Sequence, residues 1–125
     1  MDEDELSSRI IGAAIEVHRV LGPGLLESAY RTALTHELRP LGLNVEVEVP
    51  VAIRYKDLAI PAALRLDLMV DGTVVLELKS VEKIMPLHEA QLLTYLRCLD
   101  KRLGLLLNFN ETMLKRGVRR IVNRL

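Results

Sequence analysis

Leu66-Asp67-Leu68-Met69-Val70-Asp71-Gly72-Thr73-Val74-Val75-Leu76-Glu77-Leu78-Lys79-Ser80 reads as two strands around a turn. Asp71-Gly72 marks the turn. The run of Val74, Val75, Leu76 and Leu78 after it points to a central strand with both faces covered. In an extended chain successive side chains alternate, so Glu77 and Lys79 share one face while Leu76 and Leu78 take the other.

Two acids and a lysine therefore meet in a sheet, provided the register permits it. With a two-residue loop Val70 faces Thr73, Asp67 faces Leu76, and Asp67 lies on the opposite side from Glu77. With a three-residue loop or a bulge, Asp67 faces Glu77 and the three polar groups converge. Only the second register makes a site. Neighbouring carboxylates repel, and a divalent cation between them relieves the repulsion while supplying a Lewis acid. A lysine beside them orients a water and stabilises charge on a phosphate oxygen. Against this stands a plain alternative, a hairpin with Glu and Lys on its wet face.

Outward from this stretch, the period before it is helical. Leu6, Ile10, Ala13, Ala14, Val17 and Leu21 predict a helix over residues 6–20, after an acidic run suited to the positive end of its dipole. Gly22-Pro23-Gly24 breaks it, and Leu26, Tyr30, Ala33, Leu34 and Leu38 predict a second helix over 25–39, ended by Pro40 and Gly42. Val45, Val47 and Val49 alternate with Glu46 and Glu48 as a half-buried strand. Pro50 is read as an interruption, Val51 to Tyr55 as resumed strand, and Lys56-Asp57 as a turn. Beyond the quoted stretch, a third helix is expected from Leu87 to Arg102, a buried strand from Leu103 to Phe109, and a weaker one from Val118 to Val122. A strand joined through a helix to the next is usually parallel to it, so the class is α/β with a mixed sheet.

The chain has 125 residues, enough for one domain with one core. Aromatic residues make up 3%, with no Trp, which argues against modules that stack bases on exposed rings. The formal net charge is +0, so affinity for nucleic acid must be local. Cys98 is the one cysteine, which excludes an internal disulfide and a multi-thiolate zinc site. The acidic start is unlike a secretory signal and no apolar stretch spans a bilayer, so the expected location is cytoplasmic.

On the third helix His88, Gln91 and Tyr95 fall on one stripe. A glutamine there holds an attacking water or a phosphate oxygen if the stripe faces the sheet, and otherwise the stripe is the helix's solvated side. At the second helix, Gly24 permits a bend, and Glu27 and Tyr30 share a face. A carboxylate favoured by the dipole and a core tyrosine would explain that triplet equally well. Lys115, Arg116, Arg119, Arg120 and Arg124 cluster near the C-terminus, either to bind nucleic acid or to guard an edge strand with charge.

Taken together these residues resemble the small prokaryotic GxxExxY proteins, grouped with the PD-(D/E)XK nuclease superfamily. The likeness is carried by Ile11 to His18, Leu21-Gly22-Pro23-Gly24-Leu25-Leu26-Glu27-Ser28-Ala29-Tyr30, Glu77-Leu78-Lys79, His88 to Leu96, and Leu107-Asn108-Phe109-Asn110. It implies a restriction-endonuclease-like core, namely a helix, a four-stranded mixed sheet and a crossover helix, with an extra N-terminal helix. It also implies that Asp67, Glu77 and Lys79 are the acidic and lysine positions, Glu27 the helical acid that completes a metal site, and Gln91 the polar group on the following helix. Arg65-Leu66 stands before Asp67 where the superfamily's name has a proline.

The expected function is Mg2+- or Mn2+-dependent phosphodiester cleavage in nucleic acid, DNA before RNA. Asp67, Glu77, the Leu78 carbonyl and Glu27 are the expected ligands. A second copy of the chain is a further expected partner, a membrane is not. The rival expectations are an interaction module that keeps the nuclease fold and a hydrolase of a small phosphorylated molecule.

Overall fold

Three helices and five strands follow from these patterns in the computed structural model, which describes residues 1–124. Helix α1 spans Glu3–Leu21, earlier than its apolar stripe begins, because the Asp2 side chain accepts a hydrogen bond from the Glu5 N–H and caps it. Helix α2 spans Glu27–Leu38 and is followed by a short 3-10 turn. The strands are β1 (Val45–Tyr55), β2 (Leu58–Val70), β3 (Val74–Lys79), β4 (Leu103–Asn108) and β5 (Val118–Val122). Helix α3, Pro86–Leu99, connects β3 to β4. It stops three residues before the expected Arg102. Asp100 takes a left-handed conformation there, with its N–H and that of Lys101 bonded back to the carbonyls of Arg97 and Leu96.

The sheet order is β1-β2-β3-β4-β5, with β3 and β4 parallel and the other pairs antiparallel. The expected four-stranded core is thus extended to five, because the weak Val118–Val122 segment pairs with β4 along its length. Pro50 does not interrupt β1. It pairs opposite Arg65 on an outer strand, where a missing N–H costs no ladder bond.

Each face of the sheet is covered. Leu68, Val70, Leu76, Leu78, Leu105 and Leu107 pack against α1 and α2 through Ile10, Val17, Tyr30 and Leu34. On the other face Met69, Val75 and Leu106 pack against Leu92, Tyr95 and Leu96 of α3. Among the described residues no helix is long and apolar enough to cross a membrane.

Beyond β4, the side chain of fully buried Asn108 ties two loops together. Its Oδ1 accepts from the N–H groups of Val81 and Asn110, and its Nδ2 donates to the Val81 carbonyl. Gly117 passes so close that an added Cβ would lie 2.4 Å from the Asn108 carbonyl oxygen. Because that neighbour is backbone, Gly117→Ala is expected to destabilise the protein by about 2 kcal/mol or more, as other overpacked sites do. Denaturant unfolding measures it.

A carboxylate pair in the fork between β2 and β3

The turn after β2 settles the register. Asp71 and Gly72 both take positive φ, and the Thr73 N–H closes the turn on the Val70 carbonyl at 2.9 Å. Thr73 is then skipped, so Val70 faces Val74 and Leu68 faces Leu76. One step further Asp67 comes level with Glu77. The regular ladder has ended there and side chains take over its bonding: the Asp67 N–H donates to Glu77 Oε1 at 3.2 Å, and the Leu78 N–H donates to Asp67 Oδ2 at 2.8 Å. Since both groups of a strand residue leave on the same edge, the Leu78 carbonyl also faces this fork.

A second irregularity opens the fork. Val45 belongs to the core under α1 and α2, yet Val49 and Val51 belong to the core under α3. Likewise Leu68 and Leu66 lie on opposite faces. Strict alternation would keep each set on one side. Both strands exchange faces at the level of Glu48 and Asp67 with no change of register, since Val47 pairs with Leu68 and Val49 with Leu66. Glu48 takes φ +52 to do so. A non-glycine residue there costs on the order of 1–3 kcal/mol, a strain typical of functional sites. Beyond this point the β1–β2 hairpin packs on the α3 side.

Glu77 is 6% exposed. Burial pushes its carboxyl up from 4.5 to about 8, the neighbouring Asp67 charge adds to the rise, and Lys79 opposes it. Tyr95 of α3 faces the same pair: burial and the charges of Glu77 and Asp67 push its phenol up to about 12. The α3 stripe is therefore divided. Tyr95 is buried where it feels the charge of the acids, Gln91 one turn earlier is exposed, and the His88 ring is used at the helix start, where its Nδ1 accepts the Met85 N–H at 2.9 Å.

Glu27 occupies the first turn of α2 and is half-buried. The preceding loop is anchored at the end of β3 by the Ser80 hydroxyl, which donates to the Leu25 carbonyl at 2.7 Å. Tyr30 holds that loop and the core together. Its hydroxyl donates to the Gly22 carbonyl and accepts from the Leu25 N–H, and its ring stacks on Phe109 at 4.5 Å. Among the described residues no three His, Cys, Asp or Glu side chains are gathered closely enough to hold an ion by themselves. The structure thus joins Asp67 to Glu77 and does not bring Glu27 into the same cluster.

Two residues in the site escaped the sequence reading. Arg31 of α2 reaches Asp67 Oδ1 at 3.5 Å and Glu48 Oε1 at 2.8 Å, and Arg65 also pairs with Glu48. Arg31 stands one helical turn after Glu27, a spacing that would have flagged it. Nothing in the alternating pattern marks Glu48, because period-two alternation gives no sign that the strands exchange faces there.

The C-terminal basic residues do not all point the same way. Arg119 and Arg120 leave opposite faces of β5. Arg120 pairs with Asp4 at 2.6 Å and bonds Ser7, while Arg119 donates to the carbonyls of Arg116 and Val118. Lys115, Arg116 and Arg124 are exposed.

The donor set fits a hard divalent cation in chemical kind, with two carboxylates and a main-chain carbonyl all offering oxygen. A cation also answers the cost seen at Glu77, a buried carboxyl beside a second one. No curated protein and no solved structure shows significant similarity to the chain. The model of the PD-(D/E)XK nuclease superfamily matches residues 4–121. With the acid pair, the following lysine and the mixed sheet all inside that span, the chain belongs to the PD-(D/E)XK nuclease superfamily.

Proposed function

We propose that the chain is a Mg2+- or Mn2+-dependent phosphodiesterase of the GxxExxY group acting on nucleic acid, DNA before RNA. The observation that carries this reading is the buried pair itself: at the point where β2 leaves β3, Glu77 accepts from the Asp67 N–H and Asp67 accepts from the Leu78 N–H. In this reading Asp67, Glu77 and the Leu78 carbonyl hold the ion, and Glu27, which lies outside their cluster, is not needed as a ligand. The ion, when bound, supplies Lewis acidity toward a phosphate oxygen. Lys79, on the same strand face as Glu77, orients the attacking water and stabilises charge developing on the phosphate. Gln91 positions that water from α3. Tyr95 remains a neutral hydrogen-bond donor at any ordinary pH, since its phenol is pushed to about 12.

Cleavage of single-stranded, duplex and branched DNA and RNA, each with Mg2+ and with Mn2+, tests the proposal. Turnover of at least one substrate that stops with EDTA is the expected result. Net charge of +0 favours the rival interaction module, and a folded protein that cleaves none of these substrates would establish that rival. Hydrolysis confined to a mononucleotide or sugar phosphate would mean a small-molecule hydrolase.

A further inference from the structure

A separate cleft adjoins the acid pair through one shared residue. Between α2 and β1 lies a cavity of about 410 Å3 lined by Arg31, Thr32, Thr35, His36, Arg39 and Val47. Arg31 belongs to both places: it lines the cleft and pairs with Asp67. Arg39 is exposed at the far end, steadied by a 3.0 Å bond from its Nη2 to the Val45 carbonyl. Arg31 and Arg65 are balanced by the Glu48 and Asp67 carboxylates, so the excess positive charge of this edge comes from Arg39.

We infer that this cleft is the track of the nucleic-acid strand, with Arg31 and Arg39 taking backbone phosphates a few nucleotides apart and Arg31 lying at the end next to the acid pair. The inference rests on the nuclease reading for the identity of its ligand. Eight residues separate the two arginines, about 12 Å of helix, which is the axial rise of roughly three to four nucleotides of one strand. Guanidinium groups suit phosphate because their planar fork donates two bonds at once. The exposed Thr32 hydroxyl and the His36 ring add donors between them. The C-terminal cluster offers no such continuity, since Arg119 and Arg120 leave opposite faces of β5.

Binding of a fluorescent 12-nucleotide DNA strand, followed by anisotropy in EDTA over a range of salt, tests this without cleavage. Arg31→Gln and Arg39→Gln should each lower the slope of log affinity against log salt by about one. Arginine removal also breaks internal bonds, so Thr32→Glu, at an exposed position, supplies a variant that keeps them. It should weaken binding roughly fivefold, and Thr32→Lys should strengthen it. Lys115→Glu should bind as wild type does. Wild-type binding by Arg39→Gln and Thr32→Glu, or loss confined to Lys115→Glu, would overturn the inference, as would equal affinity for a mononucleotide and the 12-mer. Adding Mn2+ separates the track from the chemistry. Cleavage with unchanged binding by the cleft variants refutes the track alone, whereas binding through the cleft with no cleavage refutes the nuclease reading alone.

Discussion

Lys79→Ala is expected to lower cleavage turnover by roughly 10²- to 10⁴-fold, the range measured when a positioned proton-transfer or charge-stabilising group is removed. The Michaelis constant should change little, because a group that acts on the transition state lowers kcat and kcat/KM together. Lys79 is half-buried at the end of β3, and its main chain is held by the Phe109 N–H at 2.9 Å. That bond does not involve the side chain, so thermal unfolding should be nearly unchanged. Steady-state kinetics beside a melting curve checks both halves. Unchanged cleavage by the folded variant would place the activity elsewhere.

The second large effect is on stability against pH, and it comes from Glu77. Its carboxyl titrates at about 8 in the folded protein against 4.5 ordinarily, first because it is buried and then because Asp67 lies beside it. Between those values the folded state binds more protons than the unfolded one, so stability must fall as pH rises through this window. The loss is complete above the folded value and absent below about pH 4. Its size is on the order of 5 kcal/mol, or roughly 18 °C in melting temperature for a domain of this length. Glu77→Gln, which can still accept the Asp67 N–H, should flatten the curve and melt higher than wild type at about pH 9 without metal. A wild-type melting temperature that stays level from about pH 5 to about pH 9 would show that Glu77 ionises freely in the fold.

Much of this was legible in the sequence because hydrophobic periodicity reports burial directly. Alternation around Val74 to Leu78 marked a central strand, and the helical stripes of Leu6 to Leu21 and Leu26 to Leu38 marked the two helices that cover one face. The favourable register was legible only as a condition. Asp71-Gly72 announces a tight turn, but whether Thr73 pairs or is skipped depends on packing on both faces of the sheet, where Val74 and Val75 enter different cores. Pro50 misled for a related reason, since a proline's effect depends on which edge of which strand it occupies.

The site was less legible than the fold. Glu77, Asp67 and Lys79 stand out because charges in an apolar strand need a cause. Arg31 and Glu48 lie in ordinary amphipathic patterns, and only the exchange of faces at Glu48 brings them to Asp67. The basic C-terminal run shows the converse: Arg119 and Arg120, adjacent in sequence, are sent to opposite faces by the strand that carries them.

Every role proposed for the site depends on Asp67 and Glu77 holding a divalent ion. A ligand bound only by the folded state stabilises it, by about 2.7 kcal/mol at a concentration a hundredfold above its dissociation constant, a rise of roughly 10 °C here. The direct measurement is thermal unfolding of wild type and Glu77→Gln at about pH 8, each with EDTA, Mg2+ and Mn2+. Both ions should raise the wild-type transition, and neither should raise that of Glu77→Gln. An equal rise in the two proteins, or none in the wild type, would contradict the metal site.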